Sequence, residues 1–163
     1  MEPKHERDAG DERALAGGDE RALAAVREAV RGAPLASALA AACAVLRGLP
    51  GYTGVYLYVL EGETLVLHAH AGRDTEHLRI PVGQGICGLS ARTKETVVVD
   101  DVAADPRYLA CNLETRSEIV APIMRGDRYL AQIDVDSDAR AAFGPRDRVL
   151  LDEVAKVLEP LFP

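Results

Sequence analysis

The sequence predicts an α+β domain in which an antiparallel sheet of five or six strands carries the N- and C-terminal helices on one face. Three observations lead there. Apolar residues recur at helical spacing near both ends, the middle is a series of short β-branched and aromatic runs, and turn residues divide those runs. At 163 residues the chain suffices for one core. The expected layout is a flexible charged segment over residues 1–18 and a single domain over residues 19–163.

The first 18 residues are polar and glycine-punctuated, and a near-repeat over residues 10–25, GDERALAG then GDERALAA, is too short for a solenoid. From Asp19, a candidate cap, Leu23, Val26 and Val30 recur at helical intervals up to a stop at Gly32. A second helix over about 34–49 places Leu35, Leu39, Cys43 and Leu46 on one stripe, which makes Cys43 a small core hydrophobe. The period then changes. VYLYVL (55–60) and TLVLHAHA (64–71) flank the turn EGE and predict a hairpin. LRIPV (78–82) gives a third strand, ICGLSARTKE (86–95) a short helix and TVVVDD (96–101) a fourth strand. The connection over 102–117 is long, and connections of that length in compact domains are often functional. Two strands follow, EIVAPIM and YLAQIDVDS joined by RGDR, and Pro145 opens a last helix with Val149, Leu150, Val154, Val157 and Leu158 inward.

The balance of 19 Lys and Arg against 26 Asp and Glu gives a formal charge of −7, which disfavours nucleic acid and anionic lipid as partners. No stretch resembles a signal peptide or a membrane span, so a cytoplasmic protein is expected. Three cysteines, an odd number, argue against a stapling disulfide framework. No Cys-x-x-Cys pairing is present and His68 and His70 supply two ligands at most, so neither a metal site nor a cofactor is expected.

Cys87 follows Gly83-Gln84-Gly85 at the start of the short helix, where unpaired backbone N–H groups favour a thiolate; a buried first turn is the alternative reading. Cys111 lies in the long connection with Arg107 and Arg116 near in sequence. Asp134 and Asp136 alternate with Ile133 and Val135 and therefore share one strand face. Whether Glu118 joins them depends on register. A two-residue loop at Gly126-Asp127 would put Glu118 opposite Val135, on the wrong face, whereas an odd loop or a bulge gathers all three acids. RGDR lacks the favoured Asn-Gly or Asp-Gly order, so an odd loop is expected.

Residues 35–159 resemble a GAF domain, and specifically the free methionine-R-sulfoxide reductases, through RIPVGQGICGLS, ETVVVDDV, LAC, SEIVAPI and IDVDS. The resemblance rests on spacing: Cys87, a second Cys 24 residues later at Cys111, Glu118 seven beyond that, then Asp134 and Asp136. Where that family usually carries a further Cys, ten residues before Cys87, this chain has His77. Its pocket aromatics correspond to Tyr52 and Tyr56, in a chain without Trp.

The resemblance implies reduction of free L-methionine (R)-S-oxide by a thiolate, sulfenic acid and disulfide cycle. Cys111 would be the nucleophile and Cys87 the resolving thiol, with exchanged roles left open. Glu118 would be the acid, Asp134 and Asp136 would bind the ammonium, and Tyr52 and Tyr56 would line the substrate pocket. Thioredoxin would restore the dithiol, and a homodimer is compatible with the reading. The alternative is a non-catalytic GAF module that senses a small molecule or thiol redox state, since fold alone does not choose.

Overall fold

The structure, a computed structural model, describes residues 17–108 and 113–163. Most of the expected flexible segment thus lies outside the described residues, but Gly17 and Gly18 already belong to the first helix. That helix, α1 (Gly17–Val30), begins two residues before the anticipated Asp cap. Asp19 sits instead in its first turn, where it faces the positive end of the helix and pairs with Arg146 at 3.1 Å. α2 (Leu35–Arg47) follows, then β1 (Gly54–Glu61), β2 (Thr64–Gly72) and the short β3 (Arg79–Pro81). α3 (Gly85–Thr93), β4 (Val97–Val99), β5 (Ser117–Arg125), β6 (Arg128–Ser137) and α4 (Pro145–Leu158) complete the fold.

The six strands form one antiparallel sheet in the order β3-β2-β1-β6-β5-β4. Strand alternation sorts its residues into two apolar clusters. Val55 and Leu57 of β1, Ile119, Ala121 and Ile123 of β5 and Ile133 and Val135 of β6 pack with α1, α2 and α4. The intervening Tyr56, Tyr58 and Val120 pack with α3 on the other face. Cys43 lies in the first cluster, 1% exposed, as its helical stripe requires. No helix among the described residues is long and apolar enough to cross a membrane.

One register detail decides what the second face can do. The β5–β6 hairpin closes through the two residues Gly126-Asp127, with Arg125 paired to Arg128, which corrects the expected odd loop. Gly126 has φ +58 while Asp127 is not left-handed, the pattern of a type II′ turn, in which glycine comes first. RGDR therefore does carry a hairpin signal, in the Gly-first order. The parity needed by the acids is restored by a bulge: Met124 pairs with Tyr129, but Ile123 pairs with Ala131, leaving Leu130 as the extra residue. Leu130 and Ala131 consequently both enter the helix-side core, while Tyr129 lies on the other face.

Candidate active site

α3 is held against the sheet by a residue without a side chain. A Cβ on Gly88 would lie 2.8 Å from Gly83 N and 2.9 Å from the Pro81 carbonyl oxygen, so only glycine allows this approach to the end of β3. Ile86, Cys87 and Ala91 then face the sheet. Cys87, in the first turn, directs its thiol to Asp134 Oδ2 at 3.2 Å and Glu118 Oε1 at 3.8 Å.

Beyond the bulge, Glu118 lies directly opposite Asp136, and Asp134 lies between Val120 and Tyr56 of the flanking strands. Glu118, Asp134 and Asp136 are 3%, 1% and 2% exposed. Thr115 donates to Asp136 Oδ2 at 3.3 Å. Taken as carboxylates, Glu118 through Oε2, Asp134 through Oδ1 and Asp136 through Oδ1 have no donor facing them among the described residues. Such a cluster is costly to leave ionised.

The protonation states follow from that cost. Burial, reinforced by the negative charges of Asp134 and Asp136, holds Glu118 well above the usual carboxylate range. Burial also raises Asp136, again with Asp134 contributing, although the Arg73 guanidinium pulls the other way. Asp134 is pushed up from 3.8 to about 6 by burial, offset by hydrogen bonds with Glu118 and Cys87. The bond between the two acids raises Glu118 and lowers Asp134, so the shared proton resides on Glu118.

Between their usual and raised values these carboxyls are protonated in the folded protein and ionised in the unfolded chain, so folding takes up protons and stability falls as pH rises through that interval. For Asp134 the interval runs from 3.8 to about 6, and Glu118 and Asp136 extend it upward. The melting temperature of the ligand-free protein is expected to decline from pH 5 to pH 8, and a rise over that range in thermal melts would contradict the protonated cluster.

Of the other expected site residues, Tyr56 lies on the same sheet face as the acids. It packs in the same cluster as Cys87, stacks on His70 at 6.1 Å and donates its hydroxyl to the Arg73 carbonyl at 2.8 Å. Tyr52 does not, and this is a correction. It precedes β1 and turns into the helix-side core, where its ring meets Phe143 edge-on at 5.5 Å and its hydroxyl donates to Asp147 at 2.6 Å, tying the start of α4 to β1. At His77 the backbone carbonyl accepts the Tyr58 hydroxyl at 2.8 Å. Cys111 lies outside the described residues.

Three buried polar residues beside the acids escaped the sequence reading. Tyr129 donates to Gln132 Oε1 at 2.7 Å, and its hydroxyl lies 3.3 Å from Ser90 Oγ. The alternation that groups Asp134 with Asp136 also contains Gln132, so parity alone could have found it. Tyr129 shares that face because of the bulge.

Fold and site together define an α+β domain whose second face carries a buried thiol and carboxylate cluster under one short helix. The GAF domain model matches residues 34–159, and the chain belongs to the GAF domain family. Within it, the chain is 39% identical over 99 residues to the free methionine-R-sulfoxide reductase of Saccharomyces cerevisiae, a match covering 60% of this chain and 54% of that relative's length. The structure of the type II free methionine-R-sulfoxide reductase from Thermoplasma acidophilum is similar, with a TM-score of 0.76 at 37% identity over 83% of this chain and 94% of that one. The free methionine-R-sulfoxide reductase of Neisseria meningitidis, solved with its substrate, gives 0.84 at 33% identity over 92% and 95%.

Proposed function

We propose that this protein reduces free L-methionine (R)-S-oxide to methionine through a thiol, sulfenic acid and disulfide cycle. The observation that carries the proposal is the contact of Cys87 with Glu118 and Asp134, beside Asp136, all buried on one face, where burial holds Glu118 above the usual carboxylate range. Sulfoxide reduction needs those functions together: a sulfur nucleophile, an acid for the departing oxygen and a second thiol. The similarity to free methionine-R-sulfoxide reductases supports the same choice.

In the cycle the Cys111 thiolate attacks the sulfoxide sulfur while Glu118 protonates its oxygen. Oxygen passes to the cysteine as a sulfenic acid and methionine leaves. Cys87 then attacks the sulfenic sulfur, expelling water and forming the Cys87–Cys111 disulfide, and a thioredoxin dithiol reduces it by exchange. Four residues after Cys111, Thr115 hydrogen-bonds Asp136, which ties the strand-side end of that connection to the acids. Orphan oxygens on Asp134 and Asp136 suit the substrate ammonium, whose three donors match acceptors that lack partners among the described residues.

The test is NADPH oxidation coupled through thioredoxin and its reductase, with methionine sulfoxide resolved into its epimers. Turnover of the R epimer, lost in Cys111→Ser, is expected; no turnover of either epimer overturns the proposal and favours a thiol sensor. Because ammonium binding persists from ground state to transition state, Asp134→Asn and Asp136→Asn should each raise KM about 10- to 100-fold, the worth of one charge-assisted hydrogen bond, with a smaller change in kcat. Steady-state kinetics showing unchanged KM would remove the two aspartates from ammonium binding.

A further inference from the structure

We infer that the reduced site is also a binding site for one borderline-soft divalent cation of the Zn²⁺ class, held by Cys87 Sγ and one carboxylate oxygen each from Glu118 and Asp134. These three atoms lie within 4.8 Å of one another and all three residues are buried. An ion about 2.3 Å from sulfur and about 2.0 Å from oxygen, at a tetrahedral angle, sets sulfur and oxygen about 3.5 Å apart. The observed separations of 3.2 Å and 3.8 Å bracket that value. Small side-chain rotations suffice to close it.

The second observation is the set of oxygens that face no donor. Glu118 and Asp134 each touch the thiol with one oxygen and share a proton; once that proton is lost, the other oxygen of each, with Oδ1 of Asp136, is buried with no donor facing it among the described residues. Among the described residues the cation that bears on these acids is Arg73, and it is engaged by Asp138 and by Glu114 at 2.8 Å. A dication supplies the missing positive charge. The sulfur ligand selects its class, because Mg²⁺ and Ca²⁺ take oxygen ligands while Zn²⁺ accepts thiolate and carboxylate together. Three protein ligands among the described residues account for three of the four tetrahedral positions. The spacing of His and Cys in the chain gives no hint of this site, because its ligands come from three elements, α3, β5 and β6.

Binding involves no electron transfer. The S–H bond of Cys87 breaks heterolytically, a sulfur–metal bond forms, and the displaced proton passes to solvent. Oxidation of Cys87 to a disulfide removes the ligand. The ion site is therefore a property of the reduced protein. If the proposed reductase activity holds, the ion competes with the substrate ammonium for Asp134, and that clause alone rests on the proposed function.

The test uses the full-length, reduced, metal-free protein titrated with ZnCl2 against a chromophoric chelator, and with CdCl2 to read the ultraviolet sulfur-to-metal charge-transfer band. One equivalent per chain is expected. The band should vanish in Cys87→Ser and in peroxide-oxidised wild type, persist in Cys43→Ala, and binding should weaken at least tenfold in Glu118→Gln and Asp134→Asn. Both carboxylate replacements are isosteric, and circular dichroism confirms their fold. Absence of saturable binding, or a full band in Cys87→Ser, overturns the inference. Competition is read separately as a rise in KM for the sulfoxide with added ZnCl2. A wild type that binds Zn²⁺ but turns over no sulfoxide leaves the ion site standing and sinks the reductase reading, and the converse result does the opposite.

Discussion

Glu118→Gln is expected to lower kcat for free methionine (R)-S-oxide by about 10² or more while raising the melting temperature of the ligand-free protein. The amide keeps the shape and a hydrogen bond but has no proton to give the departing oxygen. KM should change less, since ammonium binding is assigned to Asp134 and Asp136. The stability gain follows from the same crowding that keeps Glu118 protonated: removing one of three buried acids relieves desolvation and repulsion for the other two. Each kcal/mol so recovered moves the midpoint by about 2–4 °C in a chain of this size. It should also flatten the decline of stability with pH. Turnover at the wild-type rate would remove Glu118 as the acid, and a lower melting temperature would mean that its carboxyl is a net stabiliser.

Inserting one residue between Ala131 and Gln132 should have the largest effect on the fold. With the bulge at Leu130 kept, the added residue shifts the pairing by one, and every residue of β6 beyond it changes face. Gln132, Asp134 and Asp136 would be driven into the helix-side core, and Ile133 and Val135 onto the site face. Burying those polar groups against hydrocarbon costs several kcal/mol apiece, which together rivals the whole stability of an ordinary domain. The insertion is expected to give insoluble or unfolded chain by circular dichroism. Deleting Leu130 should be far milder, because it joins Tyr129 to Ala131 and leaves Met124 opposite Tyr129, Ile123 opposite Ala131 and Glu118 opposite Asp136. Its cost is the lost side chain, about 2–5 kcal/mol, as for Leu130→Ala. An insertion variant that melts like the wild type would show that the face of the acids is not fixed by this register.

The sheet and its covering helices were legible because both rest on period: Leu39, Cys43 and Leu46 recur at helical spacing, and Val55 through Val59 alternate. The acid cluster was legible only as a condition. Alternation fixes Asp134 with Asp136, but adding Glu118 requires one residue of parity, and sequence does not announce a bulge because Leu130 is as apolar as its neighbours. The turn is encoded by a different order of residues: Gly first and Asp second suits type II′, while Asn-Gly suits type I′. The family motif points Tyr52 toward the pocket, but its actual direction is set by Phe143 and Asp147, far along the chain. Contacts that distant leave no local trace.

The two-faced sheet also bears on oxidative damage. Cys43 shares the chain with two thiols that the proposed cycle exposes to sulfenic acid chemistry, and any exchange with it would trap the protein in a dead-end cross-link. Burial among α1, α2 and α4 pushes its thiol up to about 12, so it carries almost no thiolate, and the thickness of the sheet stands between it and Cys87. The sheet works as insulation. A reaction at the Cys87 thiol has no reactive counterpart at Cys43 across the sheet, so partition by the fold keeps the two apart, with no need for Cys43 to be absent.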